Sequence, residues 1–417
     1  MTVPDTKRGH QFTRATPLRA FTSGLFSRGF QNIVDRIDAG LEFGAIEASL
    51  PDGSIRLLGG RGPGPTAKVT LHSWKALLRL VRGGSVGWYE AWAAAEWSSP
   101  DPVPIFDLFM RNRLSLGKLA RSSGAAKLVG LMLHALRANS RRGARKNIAF
   151  HYDLGNDFYA AWLDRSMTYS SALFAEPISG DEVLEAAQHR KIEALLARLE
   201  LKDGDSLLEI GCGWGGLAEV ALRAHKLRYH GITLSSEQKA YADRRLSGLG
   251  DADVTLTDYR DVTGTYDGIA SVEMVEAVGQ RYWPDYLQAI ARCLKPGGCA
   301  AIQYIRIEDD VFESYARGTD FIQHYIFPGG MLLSESRFRQ LAQASGLTWQ
   351  DQQDFGLHYA ETLRQWRVRF DAAIAAGRLP KGFDNKFISL WRYYLMYCEG
   401  GFKGGGINVA QVTLVKA

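Results

Sequence analysis

Five short apolar runs, Leu207 to Gly211, Tyr229 to Leu234, Val254 to Thr257, Gly268 to Val272 and Ala300 to Ile305, alternate with helical stretches along the second half of the chain. Alternation of this kind implies an α/β fold, a parallel sheet with helices on both faces. The run Ile407 to Val415 is expected to close the chain as an antiparallel edge strand. No internal repeat and no low-complexity segment interrupts the pattern.

The first run continues into a glycine series, Ser206-Leu207-Leu208-Glu209-Ile210-Gly211-Cys212-Gly213-Trp214-Gly215-Gly216. Gly211 and Gly213 can take positive φ and carry no Cβ, so a ligand can lie against bare backbone, and a helix beginning near Trp214 aims free N–H groups at it. Glycine turns of this form also occur in dinucleotide-binding folds, and others hold no ligand. A dinucleotide site calls for an acidic residue at the tip of the second strand, roughly 20 residues on. Here Tyr229-His230-Gly231-Ile232-Thr233-Leu234 runs into Ser235-Ser236-Glu237-Gln238, and the acid instead precedes the glycines, at Glu209. That order resembles the S-adenosylmethionine (SAM) site of Rossmann-like methyltransferases. A ligand without pyrophosphate needs no basic residue in the turn, and none lies between Ser206 and Leu222.

A chain of 417 residues with 46% hydrophobic content can bury two cores. Strand and turn signals around Gly44 to Leu57 and Thr66 to Leu71, then a helical stretch at Trp74 to Val81, mark a small α+β domain over residues 30–115 after an extension of residues 1–29. Residues 116–146 form a basic linker. From Gly117 to Asn147 there are eight basic residues, Lys118, Arg121, Lys127, Arg137, Arg141, Arg142, Arg145 and Lys146, and no acidic one. Leu128, Leu131, Met132 and Leu136 recur among them at helical spacing. Such a helix fits an anionic membrane surface, or an interdomain helix with a solvated basic face. Nucleic acid is disfavoured because no aromatic residue interleaves with the charges. No secretory signal and no run of transmembrane length is present, so a cytoplasmic, membrane-peripheral protein is expected, with homo-oligomerisation left open. Cys212, Cys293, Cys299 and Cys398 show no paired spacing, and no metal site is expected.

Further segments carry a more specific likeness: His151-Tyr152-Asp153-Leu154-Gly155-Asn156-Asp157-Phe158-Tyr159, Met167-Thr168-Tyr169-Ser170, Val275-Glu276-Ala277-Val278-Gly279, Phe327-Pro328-Gly329-Gly330, His358-Tyr359-Ala360-Glu361 and Tyr393 to Phe402. Over residues 147–417 these resemble, in order, the cyclopropane fatty acid (mycolic acid cyclopropane) synthase family of SAM-dependent methyltransferases. The resemblance implies a Rossmann-like seven-stranded sheet and methyl transfer to the double bond of unsaturated acyl chains in membrane phospholipids. It also implies that Tyr169 and Ser170 cap the methionine end of SAM and that Gly211 and Gly213 underlie it, with Glu209 before them. Thr233, Leu234 and Gln238 then face the ribose and adenine, Asp258 and Tyr259 hold the adenine edge and face, and Ser271, Glu273 and Glu276 follow the fourth strand.

An isolated alkene is a poor nucleophile, so the catalyst must align it with the methyl group and exclude water while a carbocation forms. Tyr152, Trp162, Tyr169, Tyr325, Phe327, Tyr359 and Trp366 are candidates to face that cation, and Phe312 to Phe327 and Phe383 to Tyr397 to wall the acyl chain. Typical family members bind bicarbonate as the base through a Cys, a Glu, a His, a Tyr and a backbone amide. Glu276 and Tyr359 match, but Ser171 stands at the Cys position and Gln303 at the His position. A hydroxyl and a carboxamide still donate hydrogen bonds, yet Gln shuttles no proton. The catalytic set is therefore Glu276, Tyr359, Ser171 and Gln303, with bicarbonate in doubt. The product is expected to be a cyclopropane, with a methylene or methyl-branched chain as the alternative. A small-molecule N- or O-methyltransferase and a non-catalytic lipid-binding protein are the further alternatives.

Overall fold

In the computed structural model, which describes residues 24–116 and 154–417, the chain packs into two units. The basic stretch 117–147 and the His151 to Asp153 segment with Tyr152 lie outside the described residues. The first unit joins the described residues before 117 to Arg317–His324 and Asp384–Gly406; the second holds the rest.

In the first unit, β1 (Ala45–Ser49) pairs antiparallel with β2 (Ile55–Gly59) and parallel with β3 (Thr66–Leu71), and β4 (Trp97–Ser98) borders β3. Its core is aromatic. Trp88 stacks on Trp97 with centroids 4.4 Å apart, and the Trp97 indole N–H donates to the Trp88 carbonyl at 3.0 Å. The later helix Asn385–Lys403 meets the helix Val103–Arg111 at Gly400, where a Cβ would stand 2.5 Å from the Phe106 Cβ and 2.6 Å from the Val103 carbonyl. Only glycine permits that approach. It lets Tyr393 reach Phe106 (5.2 Å), Tyr89 (5.0 Å) and Phe321 (4.8 Å). Sequence boundaries placed 317–324 and 384–406 within 147–417; tertiary contacts put both in the first unit, because glycine and aromatic positions far along the chain complete its core. The two expected acyl-chain walls are divided accordingly: Phe312 packs on Trp283 in the second unit, while Phe321, Tyr393 and Tyr397 belong to the first.

The second unit is built on β5 (Ser206–Ile210), β6 (Arg228–Thr233), β7 (Asp251–Leu256), β8 (Tyr266–Val272), β9 (Leu294–Ile307), β11 (Leu347–Asp354) and β12 (Ile407–Lys416), in the order β7-β6-β5-β8-β9-β12-β11, with the two-residue β10 (Leu333–Ser334) beside β9. This is the Rossmann-like methyltransferase sheet. The five predicted apolar runs are its parallel strands. The edge expectation for Ile407 to Val415 does not hold: β12 is antiparallel but interior, between β9 and β11. The polar sequence Leu347-Thr348-Trp349-Gln350-Asp351-Gln352-Gln353-Asp354 conceals the true edge strand, since a strand with one neighbour keeps exposed positions.

Alternate residues of the central strands enter different cores. Leu208, Ile210, Ile269 and Ala300 pack with Trp283, Leu287 and Ile290, whereas Leu207, Ala270 and Ala301 pack with Ile192, Leu195, Leu217 and Ala221. Each wholly buried aliphatic side chain contributes about 1.5–3 kcal/mol, so both faces are strongly held. Chain order reverses between β5 and β8, and the crevice beyond their carboxyl ends is the place where such sheets bind ligands.

Candidate active site

Beyond β5, Gly211, Gly213 and Gly215 take φ of 84°, 53° and 78°, and the helix starts at Gly216, two residues later than Trp214. A Cβ at Gly211 would lie 2.9 Å from the Met274 Cγ. Gly211→Ala is therefore expected to cost about 1–2 kcal/mol of backbone strain and to weaken SAM binding at least about tenfold, read by calorimetric titration; unchanged affinity would show that the turn does not contact the cofactor. Beyond β6, the Thr233 hydroxyl donates to Gln238 Oε1 at 2.8 Å, and Ser235 caps the helix Ser236–Leu246 by accepting from the Gln238 N–H. Leu234 between them is half-buried. The Asp258 carboxylate is gripped by Arg260 at 2.8 and 2.6 Å, and that guanidinium also stands 5.3 Å over the Tyr259 ring. Ser271, wholly buried, donates its hydroxyl to the Ile210 carbonyl at 3.1 Å, joining β8 to β5.

Glu209 is buried and accepts from the Tyr229 hydroxyl at 2.5 Å. Burial pushes its carboxyl up to about 8, against the opposing pull of Tyr229 and Lys191. Tyr169 sits in an aromatic box with Tyr159 (5.4 Å), Trp162 (5.6 Å) and Trp366 (5.2 Å), and Trp366 also meets Tyr359 at 6.1 Å. Trp162 and Trp366 are wholly buried. The helix Gly356–Ala375 supplies this wall because Tyr359, Leu363, Trp366 and Phe370 recur on one face, and it ties down the incoming loop: Thr362 Oγ1 accepts from the Ala172 N–H at 3.0 Å.

The expected base site is organised around a residue that sequence reasoning had not put in the catalytic set. Glu273, just past β8, is half-buried, with its carboxyl turned inward, and takes φ 48°, a left-handed conformation uncommon for a side chain of this kind. Its Oε1 accepts from the Ser171 backbone N–H and from Gln303 Nε2, both at 2.8 Å, and its Oε2 accepts from the Tyr359 hydroxyl at 2.7 Å. Three of the four expected bicarbonate ligands thus converge on a carboxylate carried by the chain itself. Ser171 serves through its amide and not its hydroxyl, which donates to the Ala172 carbonyl. The fourth, Glu276, accepts from the Ile305 N–H through Oε1, while its buried Oε2 has no hydrogen-bond partner among the described residues. Burial and the neighbouring Glu273 push the Glu276 carboxyl up to about 8. Glu273 is also raised by burial, but Tyr359, Ser171, Gln303 and Lys191 all oppose the rise. Bicarbonate does not fit here, because its donors are already spent on Glu273.

Three more polar residues escaped sequence reasoning. Gln188 and Lys191 lie on the buried stripe of the helix Leu184–Ala197, among Leu184, Ala187, Ile192 and Leu195. Gln411 of β12 faces Gln303 across the register and donates to its Oε1 at 3.1 Å, which leaves the Gln303 N–H for Glu273. Polar residues interrupting an apolar face were the available signal.

The model of the mycolic acid cyclopropane synthetase family matches residues 139–412. The chain belongs to that family. It is 39% identical over 366 residues to a tuberculostearic acid methyltransferase of Mycobacterium tuberculosis, covering 83% of this chain and 82% of that one. It is 32% identical over 337 residues to a cyclopropane-fatty-acyl-phospholipid synthase of Escherichia coli, covering 80% and 84%. The crystal structure of a mycolic acid cyclopropane synthase complexed with SAH and CTAB superposes with a TM-score of 0.59 at 30% identity, covering 65% of this chain and 98% of that one. Membership of the mycolic acid cyclopropane synthetase family makes this chain a SAM-dependent methyltransferase of lipid modification. The Cβ-free turn lets a ligand lie against bare backbone, and the lack of a basic side chain between Ser206 and Leu222 suits a donor without phosphates.

Proposed function

We propose that this methyltransferase acts on the double bond of a cis-unsaturated acyl chain in a membrane phospholipid and releases an open, methylene-branched chain, with Glu273 as the base. The observation that carries the reading is the Glu273 carboxylate at the meeting point of the Ser171 amide, the Gln303 amide and the Tyr359 hydroxyl. Gly211, Gly213, Tyr169, Ser170, Glu209, Thr233, Leu234, Gln238, Asp258, Tyr259 and Ser271 hold the cofactor. When bound, SAM supplies an electrophilic methyl group.

Tyr169, half-buried and backed by Trp162 and Trp366, presents its ring to the cation that the methylated acyl chain carries, contributing about 0.5–2 kcal/mol. A 1,2-hydride shift moves that cation onto the methylated carbon. Glu273 then takes a proton from the new methyl group, and the freed electron pair forms the methylene double bond. Proton loss before the shift would close a ring instead. A side-chain carboxylate held at three points cannot follow the methyl group as a small diffusible anion can, which favours the later proton loss. The relative named as a tuberculostearic acid methyltransferase supports the same reading. Glu276, whose carboxyl burial and the neighbouring Glu273 push up to about 8, is not the base in this reading.

Ring closure is the second reading, favoured by the likeness to a cyclopropane-fatty-acyl-phospholipid synthase and by the matching Glu276 and Tyr359. A cytoplasmic site at the membrane surface belongs to the same proposal; among the described residues no helix is long and apolar enough to cross a membrane. Expression in a host lacking cyclopropane synthase, with a labelled methyl donor and NMR and mass spectrometry of the lipids, tests it. Labelled vinylic methylene carbon is expected. Label in cyclopropane carbon would establish the second reading, and unlabelled acyl chains would refute both.

A further inference from the structure

Lys191 is the most buried charged side chain near the site, 1% exposed, on the inward stripe of the helix Leu184–Ala197. Its Nζ donates to Ser170 Oγ at 2.7 Å. One turn earlier, Gln188 Nε2 donates to the Ser170 carbonyl at 2.8 Å. The helix therefore clamps Ser170 by side chain and backbone at once, and the next residue, Ser171, directs its N–H at Glu273 Oε1. The Lys191 carbonyl is also engaged, accepting from Gln411 Nε2 at 3.1 Å, while the same Nε2 donates to Gln303 Oε1. Both donors to Glu273 Oε1 thus trace back to one lysine.

Acidic groups surround that ammonium: Glu273 beyond β8, Glu209 on β5, and Asp164 in the segment before Ser170. Burial draws Lys191 down to about 8, and these three carboxylates oppose the fall. Around Glu273 itself stand Lys191, the Tyr359 hydroxyl and the second carboxyl, Glu276. Lys191 is the cation of this group, and a buried carboxylate without a nearby cation takes up a proton.

We propose that Lys191 is a positioning residue for the base: its charge keeps Glu273 ionised before methyl transfer, and its bond to Ser170 holds the Ser171 amide against the carboxylate. The inference rests on Glu273 being the base. Lys191 touches neither substrate nor the reacting atoms, and it acts through Glu273.

The test is the pH profile of kcat for the full chain with saturating SAM and vesicles of cis-unsaturated phosphatidylglycerol. Lys191→Met removes charge and hydrogen bond; Lys191→Gln removes the charge but can still donate to Ser170, which guards against failure of the first variant to fold. Both are expected to move the acid limb upward by about one pH unit or more, cutting kcat roughly tenfold below the limb and restoring most of it at higher pH. A limb left in place, with kcat unchanged or lowered equally at every pH, would overturn the proposal. Glu273→Gln separates the two ideas. Turnover by that variant would remove the base assignment itself, whereas an inactive Glu273→Gln beside an unshifted Lys191→Gln limb would remove only the role of the lysine.

Discussion

Glu273→Gln is expected to lower kcat by roughly 10²–10⁴-fold while leaving SAM affinity within a few-fold of the wild type. Gln keeps the shape and most of the hydrogen bonds. Its carbonyl can accept from the Ser171 N–H and Gln303 Nε2, and its amide can face the Tyr359 oxygen once that hydroxyl turns, so the three partners seen around the carboxylate remain satisfied. What disappears is the lone pair that takes the proton. Turnover in carbonate-free buffer should equal that in added bicarbonate for the wild type, because the chain carries its own carboxylate; a bicarbonate requirement would place the base elsewhere. Stability changes in the opposite sense. Burial raises the Glu273 carboxyl in the folded chain above its unfolded value, so the stability it contributes is complete below the ordinary carboxyl range and lost as pH rises through the folded value. The Gln variant should therefore be at least as stable as the wild type at neutral pH, with the difference shrinking below about pH 4.3, as read by urea denaturation across pH.

Trp366→Ala should cost about 3–5 kcal/mol of unfolding free energy, a large share of a total near 5–15 kcal/mol. Trp366 is wholly buried and touches Trp162 at 5.7 Å, Tyr169 at 5.2 Å and Tyr359 at 6.1 Å. The void would open behind two side chains of the site, so kcat should fall even under conditions where the variant is folded. Denaturant titration measures the first effect, and single-turnover methyl transfer at low temperature the second. A loss below about 1 kcal/mol, the scale of a surface substitution, would mean that the aromatic box repacks and does not carry the wall.

The methyl-donor half of this protein is written in consecutive residues. Glu209, Gly211 and Gly213 lie within one strand and its turn, and their conformational demands are local: positive φ without a Cβ, followed by a helix. The same locality made the five parallel strands legible. Element edges and the last strands were less so, because β11 is polar and β12 draws its interior place from pairing with both β9 and β11. Gly400 stood out in sequence only as part of the Tyr393 to Phe402 likeness, and its close approach to Phe106 and Val103 shows only in the fold.

The base half is different. Ser171, Glu273, Gln303 and Tyr359 come from a loop, the end of β8, the middle of β9 and a late helix, and no spacing along the chain relates them. Sequence alone determined that Ser171 and Gln303 stand where a Cys and a His were expected, and so put bicarbonate as the base in doubt. Only the tertiary structure brought the Glu273 carboxylate to those positions. A residue at φ 48° turns its carboxylate into the space where those donors meet, and that conformation is held by hydrogen bonds from three other segments rather than by any preference of glutamate itself.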